Sequence, residues 1–321
     1  MSNTTRTQIP AEVNNFYDRT MLMRAVPLLL HTKFAQVRDI PNKSGTDTIK
    51  FRRYTNLTAA TTALSEGITP AGSSLSITDI TATVLQYGDF ITLTDVVTFE
   101  TPDPILTETS QLLGDQAGDT LDQLCRNIVV AGTNVMFATG TERNDITAAA
   151  KLTSTLVRKA VRTLKRAKAK RITRMINAST GISTEPVAAS YIGIVHPNTT
   201  YDLKTDSLFV PIEKYSSNTT AMEGEIGKID EVRFIESTNA VVFTGEGDGN
   251  VDVYGTIIFG QEAYGISRIS GQAMQNIVKP LGSGGSSDPL DQRQTSGWKA
   301  TFVAKILNND FIIRIEHGVT A

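Results

Sequence analysis

Between positions 104 and 131, apolar residues return every three or four places. Ile105, Thr109, Leu112, Leu113, Ala117, Leu121, Leu124, Cys125, Ile128 and Val129 form one stripe, the pattern of an amphipathic helix. Asp103 offers an N-cap, Pro104 suits the first helical position and Gly132 closes the far end. At about 1.5 Å per residue such a helix is roughly 42 Å long, well beyond the average of about 11–12 residues. Gly114 and Gly118 sit one turn apart inside it, each costing about 1 kcal/mol against alanine. Two readings are equally open: a bent helix, or a packed face at Gly114, Gly118 and Leu121 that another element crosses closely. A second helix is predicted from 153 to about 168, with Leu156, Val157, Ala160, Val161 and Leu164 inward. Beyond it the pattern shortens to β-like runs at 191–195, 232–235, 240–243, 251–259 and 263–269. The chain closes on 298–307, an Asn308-Asn309-Asp310 turn and 311–316, which predicts a terminal hairpin. Leu281 to Pro289 is a Gly/Ser-rich connector. Near the start, Val13, Phe16, Tyr17, Met21 and Leu22 follow helical spacing after Pro10, while Ser2 to Gln8 carry no core content.

Residues 44–97 break this pattern. Thr48–Tyr54 and Ile80–Tyr87 alternate as strands do, around a soft middle, Leu57-Thr58-Ala59-Ala60-Thr61-Thr62-Ala63. The segment predicts a long two-stranded ribbon with few bulky side chains. An isolated hairpin is marginal in water, and each ordered residue costs roughly 1–2 kcal/mol of backbone entropy. The compensating burial has to come from the rest of the domain or from a neighbouring copy of the chain.

Composition narrows the class. The chain of 321 residues has room for one large domain or two ordinary ones, and 40% hydrophobic residues support a core. A formal net charge of -2 argues against strong whole-molecule attraction to nucleic acid or anionic membrane. One cysteine, Cys125, excludes an intramolecular disulfide framework. The apolar run Ala25–Leu30 is far short of the ~20 residues that span a bilayer. No charged leader with a cleavable apolar region stands at the start, so the expectation is a protein made and assembled in cytoplasm.

Candidate chemistry is sparse. His31, His196 and His317 are far apart in sequence and none has a histidine partner at helical spacing. Cys125 lies on the apolar stripe and reads as an inert thiol rather than a nucleophile. Gly245-Glu246-Gly247-Asp248-Gly249 follows a strand but precedes another strand, so no helix N-terminus is there to hold a pyrophosphate. Asp248, Asn250 and Asp252 mimic a calcium loop, yet Val253 and Phe259 stand where glycine and glutamate belong. A tight hairpin turn is the better reading. The run Arg158, Lys159, Arg162, Lys165, Arg166, Lys168, Lys170, Arg171, Arg174 is the one strong charge feature. It reads first as a solvated or salt-bridging helix face; phosphate contact in a nucleic-acid-binding module is the alternative. An enzyme using His196 or Cys125 is a third reading. No cofactor or metal is expected.

Four segments taken in order carry a resemblance. They are Val195-His196-Pro197-Asn198-Thr199-Thr200-Tyr201-Asp202-Leu203; Gly224-Glu225-Ile226-Gly227-Lys228-Ile229 with Arg233-Phe234-Ile235-Glu236-Ser237; Ile257 to Gly265; and Asp288-Pro289-Leu290-Asp291-Gln292-Arg293 with Gly297-Trp298-Lys299. Together with Leu113-Gly114-Asp115-Gln116-Ala117-Gly118, the chain resembles the major capsid proteins of tailed bacteriophages, nearest to the N4-like coat group. The resemblance implies an α+β fold of the Hong Kong 97 (HK97) type. It implies an N-terminal arm over 1–43 and an extended loop over 44–97. A peripheral domain over 98–150 with a spine helix at 104–131, an axial domain over 151–284 and a C-terminal return over 285–321 complete it. It further implies a non-enzymatic subunit that assembles with itself into hexamers and pentamers of an icosahedral shell around double-stranded DNA. The implied partners are a portal protein, scaffolding or decoration proteins, and packaged DNA touched non-specifically at the inner surface; no membrane is involved. The implied location is the virion, assembled in the host bacterial cytoplasm. Phe16, Tyr17, Phe51, Arg52, Arg53, Tyr54, Leu57, Leu64 and Ile68 would then lie at subunit interfaces, and Gly114, Gly118 and Leu121 would pack the spine. Some relatives join a lysine to an asparagine covalently; no motif here fixes such a pair.

Overall fold

The computed structural model describes residues 30–43, 45–64, 66–69, 71–95, 105–178, 182–215, 222–284 and 288–320. In chain order the elements begin with α1 (Leu30–Lys33), β1 (Gln36–Val37), β2 (Thr48–Tyr54), β3 (Ile77–Thr83) and β4 (Leu85–Thr94). The long helix α2 (Ile105–Val130), β5 (Val135–Phe137), α3 (Ser154–Arg166), β6 (Ile172–Ala178) and β7 (Ile182–Val195) follow. Next come α4 (Pro197–Thr205), β8 (Val210–Pro211), β9 (Glu225–Ile229), β10 (Val232–Glu236) and β11 (Val242–Phe243). The chain ends with β12 (Val253–Phe259), β13 (Tyr264–Ser267), β14 (Met274–Lys279), β15 (Arg293–Ile306) and β16 (Ile312–His317).

The strands form three sheets. A central sheet of nine runs β5-β16-β12-β7-β10-β9-β8, with β11 beside β12 and β6 beside β7. It is mixed: β7 and β10 are parallel, as are β5 and β16, and the remaining pairs are antiparallel. A second sheet runs β1-β13-β15-β14, with β4 along β15. The third is the short ribbon of β2 and β3.

Both faces of the central sheet are covered. On β7, Ile192 and Ile194 face one core while Tyr191 and Val195 face the other; on β12, Ile257 and Phe259 oppose Ile258 in the same way. Side chains of a strand alternate between faces. A strand covered on both faces therefore reads as a continuous apolar run, as β12 does. One face carries α2 through Leu113, Ala117, Leu121, Cys125 and Val129. The other carries α3 through Leu156, Val157, Ala160, Val161 and Leu164, the five residues predicted inward. Thr153 caps α3, its side chain accepting the Leu156 N–H. The α2 face also packs on Trp298, Ala300, Phe302 and Ala304 of β15, so this one helix is common to two sheets.

Two expectations need correction. The C-terminal strands do not pair as a hairpin: β15 lies in the second sheet and β16 in the central one. The Asn308 side chain accepts the Asp310 N–H and turns the chain between them; β16 is already bonded on both edges, by β12 and β5. The returning ribbon strand is Ile77–Thr83 rather than 80–87, in register from Thr48↔Thr83 to Tyr54↔Ile77. At Val84 the chain leaves the ribbon, and β4 pairs with β15 over ten residues. The described residues of 55–76 hold no strand, so among them only the stem is two-stranded. Strand pairing also places 85–94 and 264–279 in the sheet under α2. The loop at 244–252 does join antiparallel strands, β11 and β12, but as a longer connection containing a 3-10 turn at Asp248–Asn250.

Two buried carboxylates tie the elements together. Asp122 of α2 accepts the His31 backbone N–H at 2.7 Å and the ring Nδ1–H at 2.8 Å, and the Asn239 amide at 3.2 Å. The His31 carbonyl accepts from the Tyr264 hydroxyl and, at 3.7 Å, from the Cys125 thiol. Glu316 accepts Arg143 at 2.7 and 2.9 Å and Arg314 at 2.7 Å. The other arm of Arg314 reaches the Val130 carbonyl at the end of α2, where a cation complements the helix dipole.

β16 ends at His317, which is fully buried. Its Nδ1 is 2.8 Å from the Gly318 carbonyl, which can only accept, so Nδ1 carries the proton and Nε2 accepts the Thr256 hydroxyl at 2.9 Å. Burial, partly opposed by the Gly318 bond, pulls its pKa down to about 4. The free imidazole titrates near 6.5. Above that pH neither folded nor unfolded chain carries the proton. As pH falls from 6.5 towards 4 the unfolded chain takes up a proton that the folded chain refuses. Stability should therefore fall by about 3 kcal/mol across that window through this residue. Urea unfolding between pH 7 and pH 4 checks this; His317→Gln should be less stable at pH 7 but show a flatter dependence.

Candidate functional site

The stem of the ribbon is fastened to the body and its end is not. Phe51 is buried in a small cluster with Ala82 and Leu307, supported by Ile49, Ile80 and Val303. Phe51 therefore anchors the ribbon within its own chain. Strand alternation turns Lys50 and Arg52 the other way. Arg52 lies 3.4 Å from Asp79 at the surface, and Arg53 is exposed. Past Tyr54 the chain runs without strand to Ser76. Tyr54, Leu57, Leu64, Ile68, Leu75 and Ile77 are all exposed, Leu64 to 77%. Single exposed apolar side chains are ordinary. Six on one thin projection form a run of exposed apolar side chains of the kind that marks interaction sites. Leu75 and Ile77 join those read from the sequence; their signal was alternation at the ribbon's return, obscured by the misplaced strand start. Phe16 and Tyr17 lie outside the described residues.

A second exposed apolar surface lies on the sheet under α2. In the register Phe90↔Gly297↔Ile277, two bulky side chains flank a glycine on one face of β4, β15 and β14. A Cβ on Gly297 would sit 2.7 Å from the Cβ of Phe90, so glycine is what lets the ring lie there. The neighbouring row, Asp89↔Trp298↔Asn276, faces α2, where Gln116 donates to Asp89 at 2.7 Å and accepts the Trp298 indole N–H at 3.0 Å. The depression over Gly297 measures about 820 Å³. On α2 itself Gly114, Gly118 and Leu121 are buried. Leu112 is 60% exposed, although sequence spacing placed it on the apolar stripe.

Catalytic chemistry gains no support from the geometry. Cys125 is fully buried, and burial, aided by the Asp122 carboxylate, pushes its thiol well above the usual range, so no thiolate forms. His196 caps α4, its Nδ1 accepting the Asn198 N–H at 3.2 Å. Burial lowers its pKa against the opposing pull of Glu236. Folding brings His196 and His317 to either side of Tyr254, with ring centroids 5.2 and 6.4 Å from it, a packing arrangement around a buried tyrosine. Among the described residues no group of three or more His, Cys, Asp or Glu is placed to hold a metal ion, and no helix is long and apolar enough to cross a membrane. In the basic run, Arg158 pairs with Asp230 at 2.6 Å, Lys165 with Glu231 at 2.7 Å and Arg171 with Glu231 at 2.8 Å.

A body built around one long helix, with an apolar loop projecting from it and no reactive centre in view, is the design of a shell subunit of the HK97-like type. The solved structures agree. The capsid protein of Ralstonia phage GP4 superposes with a TM-score of 0.68 at 11% identity, over 89% of this chain and 87% of that one. The head protein of Helicobacter pylori bacteriophage KHP40 gives 0.65 at 14% identity, over 88% and 87%. That of cyanophage Pam1 gives 0.63 at 17% identity, over 93% and 92%. No curated protein matches at the sequence level. The family described as phage capsid protein matches residues 77–315, and the chain belongs to that family. It is a structural protein of the virion, not an enzyme.

Two substitutions separate the anchor from the free end. Phe51→Ala should cost the isolated chain about 3 kcal/mol, because it empties a packed site. Leu64→Ala should change its unfolding free energy by no more than about 0.5 kcal/mol while lowering particle yield. Denaturant unfolding and sedimentation of the two variants check this.

Proposed function

We propose that loop 55–76 of each copy lies across the body of the next, closing rings of six and five that tile an icosahedral shell. The observation that carries this reading is the row Leu57, Leu64, Ile68 and Leu75, exposed on a strandless loop. Covering one such side chain is worth roughly 1.5–3 kcal/mol. A contact that joins each subunit to the next by the same pair of different patches generates a closed ring. The outer face around Phe90 and Ile277 is the matching apolar surface on the body. The arm, with Phe16 and Tyr17, adds a further contact, and the total interface per copy exceeds ~2,000 Å² as obligate assemblies do. Arg52, Arg53 and Tyr54 set the loop's angle at its base.

Within this reading the segment order in the sequence supports a place near the N4-like coat proteins. Assembly takes place in the host bacterial cytoplasm, a portal protein occupies one vertex, and scaffolding or decoration proteins assist closure. Double-stranded DNA fills the shell.

Deleting residues 56–72 tests the central claim. The deleted chain should remain soluble and unfold cooperatively, since the stem cluster at Phe51 is retained, yet form no closed particles by electron micrography. Wild-type particle formation by the deleted chain, or loss of soluble folded monomer, would contradict it.

A further inference from the structure

Nine cations fall between Arg158 and Arg174, and folding divides them into two sets. Arg158, Lys165 and Arg171 are taken up by Asp230 and Glu231. Lys159, Arg162, Arg166, Lys168, Lys170 and Arg174 are exposed, and among the described residues none has a carboxylate within ion-pair distance. Lys159, Arg162 and Arg166 follow i, i+3, i+7 and form one stripe on α3. Arg162 and Arg166 border an open cleft of about 750 Å³ whose other charged walls are Arg158, Lys165, Asp230 and Glu231.

Structural causes leave most of this charge unexplained. The dipole at the end of α3 offers roughly half a negative charge, less than one of the six cations needs. Lys168 is more telling. It follows α3 with φ at +60°, in the left-handed position that closes many helices and usually falls to glycine. Its N–H bonds the Lys165 carbonyl at 2.9 Å, and the Ala169 N–H bonds Leu164 at 3.0 Å. A lysine held in that conformation costs more than glycine would and adds a cation beside the stripe.

The charge is also regional. Residues 151–284 hold 16 Lys and Arg against 13 Asp and Glu, a net of +3, in a chain whose net charge is -2. Glu213, Asp248 and Glu262 are the exposed carboxylates of this region that lack a cation partner among its described residues. They sit on three separate turns, so no acidic stripe on a neighbouring copy's equivalent region mirrors the basic one. The counter-charge fits an outside polyanion better. No aromatic residue interrupts the run from 158 to 174, which removes base stacking. The stripe from Lys159 to Arg166 is roughly 10 Å long, the axial span of about three phosphates on one strand of a duplex at 3.4 Å each.

We propose that the α3 stripe, extended by Lys168, Lys170 and Arg174, holds backbone phosphates of double-stranded DNA without reading sequence. The inference deepens the shell reading by naming where the chain meets its contents. It is tested independently of assembly.

The probe is a labelled duplex of about 30 base pairs, titrated with unassembled full-length protein at 50 and 200 mM salt. Each phosphate contact contributes about 0.9 to the log–log salt slope. The triple variant Arg162→Gln, Arg166→Gln, Lys168→Gln should lose about 2.7 of that slope. The weakening between the two salt concentrations should then shrink roughly 40-fold. Lys305→Gln, an exposed cation on β15, should behave as wild type, and a second duplex of unrelated sequence should bind equally. No binding by wild type at the lower salt, an unchanged slope in the triple variant, or a strong sequence preference would overturn the proposal. So would a triple variant that binds DNA normally but fails to form capsomers, which would assign the stripe to a neighbouring copy. If particles form normally and DNA binding is absent, the DNA contact falls and the shell reading stands.

Discussion

The buried face of α2 has to satisfy two sheets at once. Leu113, Ala117, Leu121, Cys125 and Val129 fill the space between the central sheet, at Ile192, Ile194, Ile257 and Phe259, and the second sheet, at Trp298 to Ala304. Small residues at Ala117 and Cys125 let the helix lie close, while Leu113 and Leu121 reach outward to either side. Because interiors are packed as densely as organic crystals, neither sheet can shift against α2 without opening a void. The body behaves as one stiff unit, and that stiffness makes a loop projecting from it a directed device rather than a loose strand.

Two carboxylates lock this arrangement where apolar packing gives no direction. An uncompensated buried charge is expensive, so each is surrounded by donors. Asp122 fixes the short helix α1 against the middle of α2 through backbone and ring of His31. Glu316 draws Arg143 and Arg314 onto β16, with the Arg143 guanidinium 3.4 Å over the Phe243 ring. Packing alone would tolerate small slips of α1 or β16. Hydrogen bonds of fixed geometry do not, and the positions of α1 and of the last strand are therefore precise.

Helix faces were legible because their period is local. The five inward residues of α3 and the end of α2 follow from spacing and the closing glycine, within a residue or so, while Asp103 and Pro104, read as the start of α2, lie outside the described residues. The central strands were legible because a twice-covered strand is a continuous apolar run. Sheet membership was not legible, because it depends on partners far along the chain. The segments 298–307 and 311–316 look like a hairpin, yet β12 and β5 claim the second of them. β9, β14 and α4 were missed for want of a strong period: β14 alternates only weakly and α4 is nine residues long. The His196-Pro197 pair was the available signal for α4, since proline favours the first helical turn. In the ribbon, the exposure of the loop's apolar residues was legible as a deficit of core content. The burial of Phe51 was not, because its partner Leu307 lies 256 positions away.

The division of labour between body and loop also accounts for the low charge of 55–76, where Glu66 is the single charged residue. A shell of one protein must make the same contact in rings of five and six, at slightly different angles. Ion pairs and bidentate hydrogen bonds are directional and lose strength when an angle changes. Burial of apolar surface is non-directional and scales with area. A loop carrying Leu57, Leu64, Ile68 and Leu75 among threonines and alanines can slide or tilt on its neighbour at little cost. Apart from Glu66, the charged residues sit at its base, where Arg52 meets Asp79 within the same chain. Directional chemistry is thus concentrated inside the body, where Asp122 and Glu316 use it, and the loop carries the adaptable kind.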